Sequence, residues 1–254
     1  MSDLVGRVAL VTGAARGIGA ATVAALAARG ASILATDVLD EPGGATAQRL
    51  AAAGRGVRYR HLDVTSEADW SAAVSEARST FGGLDILVNN AGVLLIRPLA
   101  DTTLEDFRRV HRINVEGTFL GMKTGAPAIA ERADRWPGGG AIVNLSSLAG
   151  IVGSPRSVAY CGSKAAIRLM TKAAALEFIS LGQRIRVNSV HPGRVDTDMY
   201  AEGLVAMGST PRGANNAALS PPEDIAAAIA FLVSDAARSV TGTELAVDNG
   251  YTAQ

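Results

Sequence analysis

The stretch RVALVTGAARGIG, residues 7–19, decides the fold of this chain. Its first six residues form an apolar run, which predicts a strand buried on both faces of a parallel sheet. A glycine-rich turn follows, and an alanine-rich helix is predicted from about Ala20 to Arg29. A second strand, ASILATD, is predicted at 31–37. This strand–turn–helix–strand unit is typical of folds that bind dinucleotides.

The turn Gly13-x-x-x-Gly17-x-Gly19 is the candidate phosphate site. Glycines let the backbone approach a pyrophosphate, and the free N–H groups at the N-terminus of the next helix favour negative charge. A glycine-rich turn that is only a tight turn is the alternative interpretation.

Asp37 and Arg16 bear on which dinucleotide binds. Asp37 ends the second predicted strand, 18 residues past Gly19, close to the place of an acid that binds the adenosine ribose. A carboxylate there repels a 2′-phosphate, so it predicts NAD rather than NADP. Arg16 is the opposing signal, because a basic residue inside the turn can reach a 2′-phosphate. An aspartate that merely caps a turn is the other possibility for Asp37.

The rest of the chain continues the alternation of strands and helices. Further strands are predicted at 57–64, 84–92, 141–147, 185–193 and 242–250, and further helices at 44–53, 65–80, 103–126, 158–181 and 221–233. We therefore expect an α/β fold with one Rossmann-type, doubly wound parallel sheet of about seven strands and helices on both faces. The whole of 1–254 is predicted to be a single dinucleotide-binding catalytic domain. Within it, residues 194–220 show no clear period and are predicted to form a substrate lid.

Composition excludes several classes of function. Lysine plus arginine equals aspartate plus glutamate, 24 each, so the chain has no basic excess and we expect no nucleic-acid partner. The single cysteine, Cys161, is compatible with a reducing cytosol. The first residues lack a basic segment followed by a long apolar run, so we expect no signal peptide. No apolar stretch reaches the roughly 20 residues of a spanning helix, which predicts a cytoplasmic protein without membrane contact.

The stretch VAYCGSK, residues 158–164, holds the candidate acid–base group. Tyr160 and Lys164 are four residues apart, which places both side chains on one face of a helix. A lysine ammonium beside a phenol favours the phenolate, so the spacing predicts a lowered pKa for Tyr160. Such pairs also arise by chance on helices, and the pair alone does not decide the function.

Seven short motifs occur together in a fixed order. They are TGAARGIG at 12–19, DV at 63–64, NNAG at 89–92, Asn114, Ser147, YCGSK at 160–164 and HPG at 191–193. In this order they resemble the short-chain dehydrogenase/reductase family over essentially the whole chain. The stretches SSLAGIVGSP, IRLMTKAAALE, RVNSVHPG and GYTAQ are similar to those of bacterial secondary-alcohol dehydrogenases, ketone reductases and hydroxysteroid dehydrogenases.

The resemblance implies a catalytic set of Asn114, Ser147, Tyr160 and Lys164. The family pattern places the serine 13 residues before the tyrosine, which selects Ser147 over Ser146. Tyr160 would exchange a proton with the substrate oxygen, and Ser147 would hydrogen-bond that oxygen. Lys164 would lower the pKa of Tyr160 and hold the nicotinamide ribose, while Asn114 would hold a water that relays protons to solvent.

The resemblance also implies a cofactor site and leaves a metal open. The expected cofactor-binding residues are Gly13, Arg16, Gly17, Ile18, Gly19, Asp37, Asp63, Val64, Asn90, Ala91, Gly92, Tyr160, Lys164, Pro192, Gly193, Val195 and Thr197. A hydride would pass directly between the nicotinamide and the substrate carbon, a step that needs no metal. Some such reductases carry magnesium at a terminal glutamine, a position that Gln254 matches. Arg194, Asp196 and Asn249 depart from the family pattern.

The predicted function is an NAD-dependent dehydrogenase of secondary alcohols, acting in either direction. The expected substrate residues are Leu94, Leu95, Leu148, Val152, Met199, Leu204 and Met207. They are apolar, which predicts an apolar or cyclic alcohol or ketone. A reductase of 3-oxoacyl thioesters is the alternative, and a dinucleotide-binding sensor or scaffold without turnover is another. The resemblance implies a homotetramer, with the helices at 103–126 and 158–181 as candidate interfaces. His111 and His191 are expected to be structural, and Cys161 to be a packing residue.

Overall fold

The computed structural model describes residues 3–208 and 219–253. In this part of the chain, seven parallel strands form one sheet in the order β3-β2-β1-β4-β5-β6-β7. The strands are β1 Val8–Thr12, β2 Ser32–Asp37, β3 Val57–His61, β4 Ile86–Asn89, β5 Gly140–Leu145, β6 Ile185–Pro192 and β7 Glu244–Val247. The helices are α1 Gly17–Ala28, α2 Asp40–Ala52, α3 Glu67–Phe81, α4 Leu104–His111, α5 Gly117–Ala130, α6 Val158–Ser180, α7 Asp198–Ala206 and α8 Pro222–Val233. The predicted doubly wound sheet is confirmed.

The strand order reverses at β1, which lies between β2 and β4. In an open parallel sheet, such a reversal opens a crevice beyond the carboxyl ends of the two neighbouring strands. The glycine turn follows β1, and Asn90 follows β4. Both segments therefore lie at the mouth of this crevice.

Side chains of the sheet alternate between two separate cores. Ala9 and Val11 of β1 pack into the cluster that contains residues of α1 and α8. Val8 and Leu10 of the same strand pack on the opposite face, against residues of α3 and α5. A strand that is buried on both faces has no polar side, which is why β1 reads as an unbroken apolar run.

Several predicted boundaries differ from the observed ones because of glycine and proline. The first helix begins at Gly17 rather than Ala20, since Gly19 is helical although glycine is a poor helix former. The second helix begins at Asp40 rather than Gly44. Pro42 lies in its first turn, where the missing N–H has no helical partner to lose. The strands predicted at 57–64, 84–92 and 242–250 are shorter than expected.

The helix predicted at 103–126 is interrupted by a π-helical turn over Arg112–Glu116. It separates α4 from α5, and α5 extends further, to Ala130. Asn114 lies at the centre of this turn and is fully buried. A π turn within an α-helix is frequently found at a functional site.

The predicted lid at 194–220 is partly described. It contains α7 and a parallel bridge between Val195 and Ser220, whereas residues 209–218 lie outside the described part. None of the described helices combines the length and apolar character needed to cross a membrane.

Candidate active site

A cleft of about 1050 Å³ opens at the carboxyl ends of β1, β4, β5 and β6. It collects most of the residues predicted from the sequence. Those lining it are Gly13, Arg16, Gly17, Ile18, Asp37, Asp63, Val64, Asn90, Ala91, Gly92, Leu94, Ser147, Leu148, Tyr160, Lys164, Pro192, Gly193, Val195, Thr197, Met199, Leu204 and Met207. The volume is at the upper end of what small-molecule sites occupy, which suits a large cofactor together with a substrate.

The backbone of the glycine turn is folded so tightly that some of its positions accept only glycine. Gly13 and Gly17 have φ of +64° and +55°, in the left-handed region. A Cβ on Gly19 would lie 1.9 Å from the carbonyl oxygen of Gly13. Gly19 therefore does not line the cleft itself but lets α1 pack against the turn. The turn leaves backbone exposed toward the cleft, which fits the approach of a pyrophosphate.

Asn90 fixes the turn from the neighbouring strand. Its Nδ2 donates to the carbonyl oxygens of Thr12 (2.9 Å) and Gly13 (3.0 Å). The hydroxyl of Thr12 accepts from the backbone N–H groups of Asn90 and Ala91, both at 3.1 Å. These bonds join the ends of β1 and β4 across the crevice, so the amide shapes the floor of the cleft.

Asp37 and Arg16 lie at the same end of the cleft but have different partners. Asp37 accepts hydrogen bonds from the backbone N–H groups of Ala15 (2.9 Å) and Leu39 (3.1 Å). Its carboxylate is thereby fixed at the end of β2, facing the cleft. The guanidinium of Arg16 instead donates to Asp198 of α7 (3.0 Å), and Glu202 lies 3.6 Å away. Arg16 thus joins the glycine turn to α7.

Ser147 and Tyr160 meet on the opposite wall. The Tyr160 phenol lies close to the Ser147 side chain, and both line the cleft. Ser147 lies two residues past the end of β5, and its Oγ accepts from the N–H of Ala149 at 3.2 Å. Burial raises the pKa of Tyr160, and the interaction with Ser147 partly offsets this by lowering it. The prediction that Lys164 lowers this pKa is therefore wrong for this structure, because desolvation of the phenolate dominates and the favourable interaction comes from Ser147 rather than from Lys164.

Lys164 is buried beside this pair. Its Nζ donates to the carbonyl oxygen of Leu145 at 2.8 Å and lies 5.7 Å from the centre of the Tyr160 ring. Burial lowers the pKa of Lys164 to about 8. The same desolvation that raises the pKa of the phenol thus lowers that of the ammonium, since each ionised form loses hydration.

Asn114 does not line the cleft but supports it from behind. Its Oδ1 accepts from the N–H of Val93 (2.8 Å), and its Nδ2 donates to the Val93 carbonyl and to Ser163 Oγ, both at 3.0 Å. It therefore connects the loop after β4 to α6. A Cβ on Gly92 would lie 3.1 Å from Asn114 Oδ1 and 3.4 Å from Lys164 Nζ, so the three residues converge.

Two predicted substrate residues do not line the cleft. Leu95 lies in an irregular segment where Val93, Leu94 and Ile96 contribute to the wall and Leu95 does not. Val152 is exposed, while Gly153, Ser154 and Pro155 beyond it line the cleft. Both corrections arise because apolar character alone does not show which way a loop residue points.

Other lining residues were not predicted. Among them are Val93, Ile96, Pro155, Tyr200 and Tyr251. Arg194, which the sequence marks only as a departure from the family pattern, also lines the cleft. The guanidinium of Arg194 lies 5.9 Å from the centre of the Tyr251 ring. Asp196, the other unusual charge, is exposed and does not line the cleft. The neighbouring loops bring these residues together, and no sequence spacing indicates it.

A metal site is not evident within residues 3–208 and 219–253, where no group of three or more histidine, cysteine, aspartate or glutamate side chains is arranged to hold an ion. Gln254, the residue that suggested magnesium, lies outside the described part. The glycine turn, by contrast, fits a dinucleotide, because a Cβ on Gly13 or Gly19 would clash with the backbone that forms the cradle.

Comparisons with known proteins agree with this geometry. Residues 13–252 match the family model described as enoyl-(acyl carrier protein) reductase. The chain is 41% identical to trans-4-hydroxycyclohexanecarboxylate dehydrogenase of Sinomonas cyclohexanicum, over 97% of this chain and 93% of that protein. It is also 41% identical to 3-alpha-(or 20-beta)-hydroxysteroid dehydrogenase of Mycobacterium tuberculosis, over 98% and 91% respectively. A short chain dehydrogenase from Mycobacterium paratuberculosis, solved with bound NAD, superposes with a TM-score of 0.89 at 36% identity, covering 99% of this chain and 100% of that one.

Proposed function

Because the chain belongs to the short-chain dehydrogenase/reductase family, we propose that it interconverts a cyclic secondary alcohol and the corresponding ketone with NAD as its cofactor. The observation that carries this proposal is one cleft with two facing parts. On one side lies the glycine turn with Asp37. On the other lie the hydroxyl groups of Ser147 and Tyr160, with Lys164 buried behind them.

Tyr160 is proposed to be the acid–base group. Its raised pKa keeps the phenol protonated at neutral pH, so it can donate a proton to the carbonyl oxygen in reduction. In oxidation it must accept the proton of the alcohol, and this direction is therefore favoured as the pH rises. Ser147, which lies close to the same phenol, is proposed to donate to the substrate oxygen as negative charge develops.

Lys164 and Asn114 are proposed to act on Tyr160 rather than on the substrate. Lys164 places a cation near the ring and offers N–H groups that can hold ribose hydroxyls. Asn114 is proposed to keep the space between Gly92 and Lys164 open for a water that carries protons to solvent. The hydrogen bonds of its side chain support this, because they fix the loop and helix that border that space.

The preference for NAD rests on Asp37. Its carboxylate is fixed by two backbone N–H groups at the end of β2, where it can accept from ribose hydroxyls and would repel a 2′-phosphate. Arg16 supports the same preference, because its guanidinium is paired with carboxylates of α7. When bound, NAD supplies the acceptor or donor of the hydride. The remaining predicted cofactor residues that line the cleft are proposed to hold it there.

The proposed substrate is a ring alcohol, and one bearing a carboxylate is favoured. Leu94, Leu148, Met199 and Leu204 make this part of the cleft apolar. Arg194 adds a cation that forms no ion pair with the described carboxylates. A guanidinium can bind a carboxylate through two parallel hydrogen bonds. The relatives named for a hydroxycyclohexanecarboxylate and for hydroxysteroids support ring alcohols in general.

A substrate screen tests this proposal. Purified protein is incubated with NAD or NADP and with cyclopentanol, cyclohexanol, trans-4-hydroxycyclohexanecarboxylate or a 3-hydroxysteroid, and formation of the reduced cofactor is followed. We expect turnover of ring alcohols with NAD. Absence of turnover by folded protein with all of them would reject the proposal. Faster reduction of a 3-oxoacyl thioester with NADPH would replace it, and tight NADH binding without any turnover would favour a sensor or scaffold.

We further propose that the enzyme works in the cytoplasm as a homotetramer. Apolar side chains exposed on α4, α5 and α6, including Phe107, Phe119, Leu169, Leu176 and Ile179, support assembly through these helices. The single free cysteine, Cys161, supports a reducing compartment. Light scattering during gel filtration would show a mass of four chains, and a monomer would reject the assembly.

A further inference from the structure

His191 is a fully buried titratable residue directly behind the catalytic wall. It is the next-to-last residue of β6, and its ring contacts Ser147 rather than the cleft. Nδ1 lies 3.1 Å from the carbonyl oxygen of Ser147, and Nε2 lies 2.8 Å from Ser189 Oγ. The charged groups that influence the pKa of His191 are Glu244 of β7 and Arg168 and Lys164 of α6.

The contacts of the ring determine which nitrogen carries the proton. A carbonyl oxygen can only accept, so Nδ1 must be the donor to Ser147. Nε2 of the neutral ring then accepts from the Ser189 hydroxyl, whose other neighbour, the Thr243 carbonyl, is more distant at 3.3 Å. Burial lowers the pKa of His191, which agrees with a neutral ring.

The bond from His191 completes a set that fixes three consecutive residues. The Leu145 carbonyl accepts from Lys164 Nζ, and Ser146 Oγ donates to the Lys164 carbonyl, both at 2.8 Å. The Ser147 carbonyl accepts from the N–H of Gly150 at 2.9 Å and from His191. His191 is thus the only side chain among the described residues that donates to the Ser147 carbonyl.

We propose that His191 is a positioning residue, which holds the Ser147 backbone by donating a hydrogen bond from Nδ1 and so keeps Ser147 Oγ close to the Tyr160 phenol. This inference rests on the proposed role of Ser147. Because the interaction with Ser147 lowers the pKa of Tyr160, loss of the hydrogen bond from His191 to the Ser147 carbonyl raises that pKa and slows proton transfer. The structure assigns to His191 an effect on the serine without any contact with substrate.

The test compares two amides that reproduce different nitrogens of the ring. In His191→Asn, the amide nitrogen can occupy the place of Nδ1 and still donate to Ser147. In His191→Gln, the longer side chain reaches toward Ser189, the partner of Nε2, and leaves the Ser147 carbonyl with one donor. His191→Leu removes both contacts. Thermal unfolding and NADH binding show whether each variant is folded.

We expect His191→Gln to lose about tenfold in kcat, as loss of one hydrogen bond predicts, with KM for alcohol and NAD changed less than about threefold. The pH at which its oxidation rate is half-maximal should rise. His191→Asn should stay within about threefold of the wild type, with an unshifted pH profile. His191→Leu should resemble the Gln variant, and if it does not fold, the two amides carry the test.

Equal behaviour of the two folded amide variants, in kcat and in pH profile, would overturn the role of His191. So would a loss confined to KM or to thermal stability. If the wild-type protein oxidises no ring alcohol, the proposed function fails instead, and the two failures are therefore distinguishable.

Discussion

Lys164→Met should stabilise the protein without cofactor while it abolishes turnover. Lys164 is 5% exposed, and its pKa falls from the ordinary 10.5 to about 8. At about 1.4 kcal/mol for each tenfold change, the charged form destabilises the fold by about 3 kcal/mol at neutral pH. Loss of the bond to the Leu145 carbonyl costs about 1–2 kcal/mol. The net gain is about 1–2 kcal/mol, or a rise in Tm of about 2–8 °C.

The direction in which the stability difference between Lys164→Met and the wild type changes with pH shows whether desolvation of the ammonium causes it. Below pH 8 the lysine is protonated in both folded and unfolded chains, so the full penalty is present. Between about pH 8 and 10.5 the folded protein releases the proton while the unfolded chain keeps it, and wild-type stability gains with pH. The advantage of Lys164→Met should therefore shrink over this interval. Tyr160, whose pKa is raised above the ordinary 10.0, stays protonated in both folded proteins over the range from pH 7 to 10, so it does not contribute to the difference.

Urea unfolding of both proteins at several values from pH 7 to 10, without cofactor, measures this difference. Lys172→Met is the matched control, because Lys172 lies two turns along α6 with a half-exposed side chain paired with Glu244. It should change stability by less than about 1 kcal/mol. If Lys164→Met is no more stable than the wild type at pH 7, or if its advantage does not change with pH, the argument from desolvation is wrong.

Substitutions at four other residues give further predictions. Asp37→Ala should lower the preference for NAD over NADP in kcat/KM by at least about tenfold, about 1.4 kcal/mol. Arg16→Ala should leave this preference unchanged because Arg16 is paired with Asp198 of α7. An unchanged preference in Asp37→Ala, or a large change in Arg16→Ala, would contradict the proposed basis of cofactor choice. Arg194→Met should raise KM for trans-4-hydroxycyclohexanecarboxylate about tenfold, as loss of a charged hydrogen bond predicts, and leave KM for cyclohexanol within about twofold. Equal effects on both alcohols would show that Arg194 does not bind the substrate carboxylate. Asn114→Ala should destabilise the protein by about 2–4 kcal/mol in urea unfolding, since the three hydrogen bonds of a buried side chain are lost. It should also reduce kcat. An unchanged urea midpoint would show that these bonds do not stabilise the π turn.

The central strands of the sheet were predictable because they are buried on both faces. In β1 and β4 every residue before the last, Thr12 or Asn89, is apolar, so the pattern differs from that of an amphipathic helix. The starts of α1 and α2 were predicted too late in the chain, because glycine or proline is tolerated there for reasons that only the packing shows. Glycine occupies position 19 inside α1 because the backbone of Gly13 leaves no room there for a side chain.

The cofactor half of the cleft was more predictable than the substrate half. Gly13, Asp37 and Asn90 follow strands whose ends must meet at one edge of a parallel sheet, so their convergence follows from topology. Leu95 and Val152 lie in loops, where side-chain direction depends on contacts distant in sequence. The pKa of Tyr160 was misjudged because spacing reveals the nearby lysine but not the extent of burial.

The most direct test of the account is the turnover of Tyr160→Phe with NAD and the best ring alcohol found for the wild type. Removing one oxygen leaves the ring, the glycine turn and Asp37 in place, so NADH binding should persist with a Kd within about threefold of the wild type, a difference below 1 kcal/mol. Alcohol oxidation should fall by at least about a hundredfold, the lower bound expected for loss of a general acid–base group. Oxidation at a rate close to that of the wild type would contradict the account, because Tyr160 is the only residue proposed to accept the proton of the alcohol.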